Sequence, residues 1–159
     1  SFRTLDEPDR WASLPNDRLL FPSDLGSAFV MAGLPSELEG GLATRSGASI
    51  ALASVVFGGL ALELDAEGAL RVRLRDVEAA SGEVVVDVDA AGNVLGPSCE
   101  LGAAPGSLSI VRSGARLELA RGGLRARCAD VDPDAVFSVE LVLERGSTLR
   151  TVRASRRAE

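Results

Sequence analysis

From Gly58 to Arg153 the chain alternates apolar and polar residues in short runs cut by glycines. Leu60, Leu62 and Leu64 stand against Ala61, Glu63 and Asp65, and Leu70, Val72 and Leu74 stand against Arg71, Arg73 and Arg75. Successive side chains of a strand leave opposite faces, so a period of two describes strands with one buried and one wet face. Further runs follow at Glu83 to Asp89, Ser107 to Arg112, Ala115 to Ala120, Leu124 to Cys128, Ala135 to Glu144 and Thr148 to Ala154. The turns between them carry Gly92-Asn93, Ser113-Gly114, Gly122-Gly123 and Arg145-Gly146. Leu60 to Asp65 and Ala69 to Arg75 are predicted to pair as a hairpin across Asp65 to Gly68, with Gly68 as its left-handed residue. Ile50 to Phe57 is continuously apolar, as a central strand covered on both faces would be. No interval after Ser81 has the 3.6-residue period of a crossover helix, which argues against a parallel sheet. The predicted class is therefore all-β: an antiparallel sandwich of about eleven short strands, each hiding its apolar face against a second layer.

The 159 residues suffice for one domain with a substantial core, and 46% apolar content excludes a disordered chain. Residues 1–26 are expected to form an irregular arm packed on the domain, with a helical turn at Asp6 to Trp11. Residues 27–155 form the sandwich, including strands at Ser27 to Ala32 and Leu42 to Arg45, and 156–159 a frayed tail. The chain starts at Ser1 rather than Met, which is read as removal of a leader or a larger N-terminal portion. The longest apolar stretch, Ile50 to Leu62, is interrupted by Ser54 and two glycines, so no membrane insertion is expected. A net charge of −6 opposes a nucleic-acid partner. All seventeen basic residues are arginine, and they are read as filling the solvated outward positions of strands.

Cys99 and Cys128 make either one bridge or two buried thiols. Cys128 continues the inward phase of Leu124 and Ala126, while Cys99 sits in a Gly-Pro-Ser loop. The reading taken is the bridge, which fits an extracytoplasmic location: periplasmic, cell-surface or secreted. Trp11 is a candidate platform for a sugar ring, or else a plug that pins the arm to the core. Arg71, Arg73 and Arg75, joined by Arg125 and Arg127 if those strands are neighbours, could hold an anionic ligand. The commoner outcome is cross-strand pairing with Glu63, Asp65, Glu118 and Glu140. No histidine is present, so no histidine-based nucleophile set can be assembled.

The segment from Ser107 to Cys128 (SLSIVRSGARLELARGGLRARC) resembles the late hairpins of concanavalin A-like jelly rolls, laminin G-like modules among them. The opening Phe2 to Trp11 (FRTLDEPDRW) is similar to the lead-in of many such domains, and the order of elements fits across nearly the whole chain. The resemblance implies calcium at the rim of the sandwich. Asp130, Asp132 and Asp134, three carboxylates at alternate positions, are the candidate cage for it, against a plain metal-free Asp-Pro turn. Glu63-Leu-Asp-Ala-Glu67 matches the Glu-x-Asp-x-Glu pattern of laminarinase-like glycosidases with this fold, where one strand carries nucleophile, helper and acid/base. Here the predicted turn from Asp65 to Gly68 would carry Glu67 off the strand. One fold hosts lectins, glycosidases and spacers, so activity is not inherited from it.

The expected function is a non-catalytic recognition or adhesion module of a larger bacterial protein, binding carbohydrate and needing no cofactor. A structural spacer or assembly subunit that binds other protein chains is the second expectation, and a glycoside hydrolase using Glu63 and Glu67 the third.

Overall fold

The computed structural model describes residues 11–13, 36–38, 42–43, 48–79 and 82–157. In chain order the strands are β1 (Trp11–Ser13), β2 (Ser36–Leu38), β3 (Leu42–Ala43), β4 (Ala48–Phe57), β5 (Gly59–Glu67), β6 (Leu70–Asp76) and β7 (Glu83–Val88). They continue with β8 (Val94–Gly96), β9 (Cys99–Leu101), β10 (Leu108–Ser113), β11 (Arg116–Arg121), β12 (Leu124–Arg127), β13 (Val136–Leu143) and β14 (Thr148–Arg157). Among the described residues these make two antiparallel sheets. The first runs β1-β4-β13-β6-β7-β8-β9. The second runs β12-β11-β10-β5-β14-β2, with β3 also on β14. The all-β sandwich read from the alternation is the observed architecture, built from fourteen strands rather than about eleven.

The core lies between the sheets and is aliphatic. Leu62, Leu64, Leu108, Leu117, Leu119 and Val152 come from the second sheet and meet Val72, Leu74, Val86 and Leu141 of the first. Each sits in the inward phase of its strand, which is why the period of two located the core.

The predicted hairpin of β5 and β6 does not form. β5 pairs with β10 and β14, whereas β6 pairs with β13 and β7 in the opposite sheet. Gly68 and Ala69 therefore cross between layers. Gly68 has φ +90°, and a Cβ there would fall 2.6 Å from the Ser147 hydroxyl oxygen. That hydroxyl donates to the Ala69 carbonyl at 2.6 Å, so the β5–β6 and β13–β14 crossovers brace each other. Alternation fixes which face of a strand is dry; it is silent on which strand lies beside it.

Two arginines depart from the outward expectation. Arg112 continues the inward phase of Leu108 and Ile110 and is fully buried. Its guanidinium donates to the carbonyls of Gly114 (2.8 Å), Gly58 (2.5 Å), Asp132 (3.0 Å) and Pro133 (2.8 Å) and lies over the Phe137 ring. It thus ties the β4–β5 crossover and the 132–133 loop to one end of the sandwich. Arg121 does the same at the other end, donating to Gly92 O at 2.8 Å, with Nε left unpartnered among the described residues.

Cys99 and Cys128 form the disulfide. It joins β9, the edge of the first sheet, to the residue following β12, the edge of the second. A Cβ on Gly96 would meet Cys99 Sγ at 2.7 Å, so this close approach requires glycine. Leu124, at the start of edge strand β12, is 43% exposed rather than inward-packed. β4 is not covered on both faces: Val55 is exposed. The strand expected at Ser27 to Ala32 and the helical turn before Trp11 lie outside the described residues. Within the expected arm, Trp11–Ser13 pairs with β4, and β14 runs through Arg157 into the expected tail.

Candidate functional site

Residues paired across antiparallel strands share a face. On the outer face of the second sheet the registers place Glu37, Arg153, Glu63, Ser109, Ala120 and Arg125 in one row across six strands. Its middle is low, because Ser109 and Ala120, with Val111 and Ser113 beside them, are short side chains. Arg116, Glu118 and Arg125 rise around them, enclosing a furrow of about 340 Å³. Strands about 4.8 Å apart put Glu63 and Arg125 at opposite ends of a stretch of about 14 Å. Both are exposed, and neither has a hydrogen bond or ion pair among the described residues. Arg116 and Glu118 face each other at 3.7 Å on the furrow wall.

β5 runs through Glu67, so Glu63, Asp65 and Glu67 alternate on this same face. That corrects the expectation that a turn removes Glu67 from the strand: with β6 in the other sheet, no hairpin turn has to begin at Asp65. The three carboxylates are not equivalent. At the bulge in β14, between Leu149 and Thr151, Arg150 swings over the end of β5. It binds Asp65 at 3.4 Å and also Glu67, and these contacts, Glu67 first, hold its guanidinium above the ordinary arginine pKa. Glu63 is left as the open carboxylate.

The first sheet's outer face is built differently. Arg71 makes a bidentate bond to Asp87 (2.7 and 3.2 Å). Arg73 grips Glu83 (2.8 and 3.3 Å) and also Glu140 (3.1 Å). Hydrogen bonding to Arg73 lowers the Glu83 pKa below the usual carboxylate range. Glu140 was an expected partner; Glu63, Asp65 and Glu118 were not available, since they belong to the other sheet. For the same reason Arg125 and Arg127 do not extend the row of Arg71, Arg73 and Arg75.

The expected calcium cage is not gathered. Asp130 pairs with Arg127 at 3.2 Å, and Asp132 Oδ1 accepts the Asp134 backbone N–H at 2.9 Å, capping a turn. Among the described residues no three acidic, cysteine or histidine side chains converge on a metal position. The Trp11 backbone pairs with Leu52 at the margin of the first sheet, far in strand order from the furrow.

Neither a protein-family model nor a curated protein sequence matches the chain. Solved structures do. Apo Crh5 transglycosylase superposes with a TM-score of 0.60 at 12% identity, covering 99% of this chain and 82% of that one. The metal-free carbohydrate recognition domain of Emp46p gives 0.54 at 12% identity, covering 90% and 95%. Rv0315 of Mycobacterium tuberculosis, described as an immunostimulatory antigen and pseudo beta-1,3-glucanase, gives 0.50 at 13% identity, covering 99% and 98%. The fold is the concanavalin A-like jelly roll.

A transglycosylase with this jelly roll corrects the expectation that the chain is not an enzyme. That expectation rested on the missing histidine and on a turn expected to carry Glu67 off the strand; glycosyl transfer runs on a pair of carboxylates and needs no histidine, and Glu67 lies on β5. The sequence reading also missed Ser109 and Ala120. Their signal was present: small residues at outward positions of consecutive strands, which only the strand order turns into a furrow.

Proposed function

We propose that this jelly roll engages carbohydrate, seating a short glycan across the strands of its second sheet, with Arg125 on the wall of the furrow and Glu63 one strand beyond its floor. The observation that carries the reading is the furrow itself. A stretch of about 14 Å holds two or three sugar rings, its small-residue floor leaves room for them, and its charged ends, which have no ion pair among the described residues, supply directional hydrogen bonds. An exported setting is part of the reading, supported by the Cys99–Cys128 disulfide. Isothermal titration with cellotriose, laminaritriose, chitotriose and trigalacturonate tests it. Binding of at least one trisaccharide, lost in Ala120→Trp, is expected; equal binding by that variant, or none of the four bound by the parent, would overturn it.

One observation favours a second reading, glycan cleavage or transfer: Glu63, Asp65 and Glu67 alternate on one wet face of β5. In that chemistry Glu63 attacks the anomeric carbon while Glu67 delivers a proton to the departing glycosidic oxygen. Water or a sugar hydroxyl, giving its proton to Glu67, then attacks the anomeric carbon and releases the Glu63 carboxylate. Arg150 would first have to release Glu67. Hydrolysis or transfer on laminarin oligosaccharides that vanishes in Glu63→Gln supports this reading; turnover unchanged in that variant removes it.

A further inference from the structure

The outer faces of both sheets carry arginines, and most of these are already engaged. Arg71 and Arg73 are saturated by Asp87, Glu83 and Glu140, Arg127 by Asp130, and Arg150 by Asp65 and Glu67. Arg125 is the exception that lines a cavity. It stands on edge strand β12 directly across from Ala120, and nothing among the described residues neutralises it. A guanidinium presents a planar fork of N–H donors, matched by the two oxygens of a carboxylate.

A second property of the furrow bears on what fills it. Neutral sugars are commonly held by stacking on aromatic rings, and Trp11 was the candidate for that. Among the described side chains the one aromatic ring is Phe137, buried at 2% exposure in the core. No described ring lies on the furrow's face, and the groups that the described residues offer there are hydrogen-bonding and charged ones. The hydroxyls of Ser109 and Ser113 offer the first and Arg125 the second. Of the acids near this face, Glu118 lines the furrow opposite Arg116 at 3.7 Å, and Glu63 stands about 14 Å from Arg125, beyond the Debye length of about 8 Å at physiological salt.

The geometry points to an acidic glycan as the ligand: a uronic-acid residue whose C6 carboxylate docks on Arg125, with the next rings crossing Ala120 and Ser109 towards Glu63. This rests on the carbohydrate reading above and names the sugar class that reading leaves open. The net charge of −6 does not oppose it, since a carboxylate is recognised by the local fork, not by the chain's total charge.

The test is a titration of trigalacturonate against the neutral cellotriose and laminaritriose, using the parent, Arg125→Gln and Arg145→Gln. Arg145 is exposed in the β13–β14 crossover and absent from the furrow, so its variant controls for the loss of one positive charge. Trigalacturonate is expected to bind the parent at least ten-fold more tightly than either neutral trimer. Arg125→Gln should lose that ten-fold preference, with Tm unchanged, while Arg145→Gln keeps it. Equal binding of acidic and neutral trimers to the parent overturns the acidic-sugar inference and leaves the carbohydrate reading standing. Full retention of the preference in Arg125→Gln does the same. Failure of every trimer to bind overturns both.

Discussion

The two wet faces of this sandwich are made of the same residue types and end in opposite states. On the first sheet, arginines of β6 lie between acidic residues of β7 and β13, and each guanidinium that finds a carboxylate closes on it. On the second sheet, β10 and β11 interpose Ser109, Val111 and Ala120 between Glu63 and Arg125, and neither of these has an ion pair among the described residues. Charge composition does not distinguish these faces. On the furrow side of the second sheet, what separates them is the short side chains that register places between Glu63 and Arg125. A face closed by ion pairs has little left to offer a ligand, whereas an open one carries unspent hydrogen-bonding capacity.

The largest expected effect lies beneath both faces. Arg112→Met strips four backbone carbonyls of a buried donor and should cost at least about 3 kcal/mol in urea unfolding. A loss under 1 kcal/mol would mean that the carbonyls are watered and that the end of the sandwich is not tied by this residue. Next comes the contrast between faces. Ala120→Trp should weaken glycan binding by about 100-fold, or ~2.7 kcal/mol. Val142→Trp, outward on the first sheet opposite Arg71, should leave binding within two-fold. If the second variant is the damaging one, the faces have been assigned the wrong way round.

Smaller effects sharpen the electrostatic half of the contrast. Arg73→Ala should lower Tm by about 2 °C by stranding Glu83 and Glu140, while Arg125→Ala should shift it by less than about 1 °C. Equal shifts would mean that Arg125 has a partner in solution. The pH response is smaller still. Glu83 is held below the ordinary carboxylate pKa by Arg73, and Asp89 by the Asn93 side-chain and backbone N–H groups. A depressed folded-state pKa contributes stability above the unfolded value, and that contribution is lost as pH falls through the folded value. Tm should therefore be level from pH 7 to about 5 and decline below about 4. The decline should be shallower in Arg73→Ala, whose Glu83 loses the largest cause of its depressed pKa and keeps only the weaker pull of Arg75 and Arg71.

Much of this was legible beforehand, for identifiable reasons. The inward phases of β5, β6, β10 and β11 gave the core, because burial on a strand is a local property. The pairing of Cys99 with Cys128 was read from their number and phase, and the jelly roll from the run Ser107 to Cys128. Whatever depends on which strands are neighbours was out of reach. Asp65 to Gly68 looks like a hairpin turn, yet it joins two sheets, and that error removed Glu67 from β5; whether Arg125 neighbours Arg71 was left open and is answered only by the strand order. Arg112 and Arg121 were legible and overlooked: both sit in phase with buried leucines, so alternation placed them inside while residue type suggested outside. The Asp130 to Asp134 spacing misled because an aspartate that caps its own loop has the same pattern as one awaiting a metal.

Amide chemical-shift mapping during titration with trigalacturonate probes the difference between the two faces most directly. Shifts concentrated at Glu63, Ser109, Val111, Ala120 and Arg125, with Arg71, Arg73, Asp87 and Val142 silent, are the expected result. Shifts centred on the first sheet, or spread evenly over both, would contradict it.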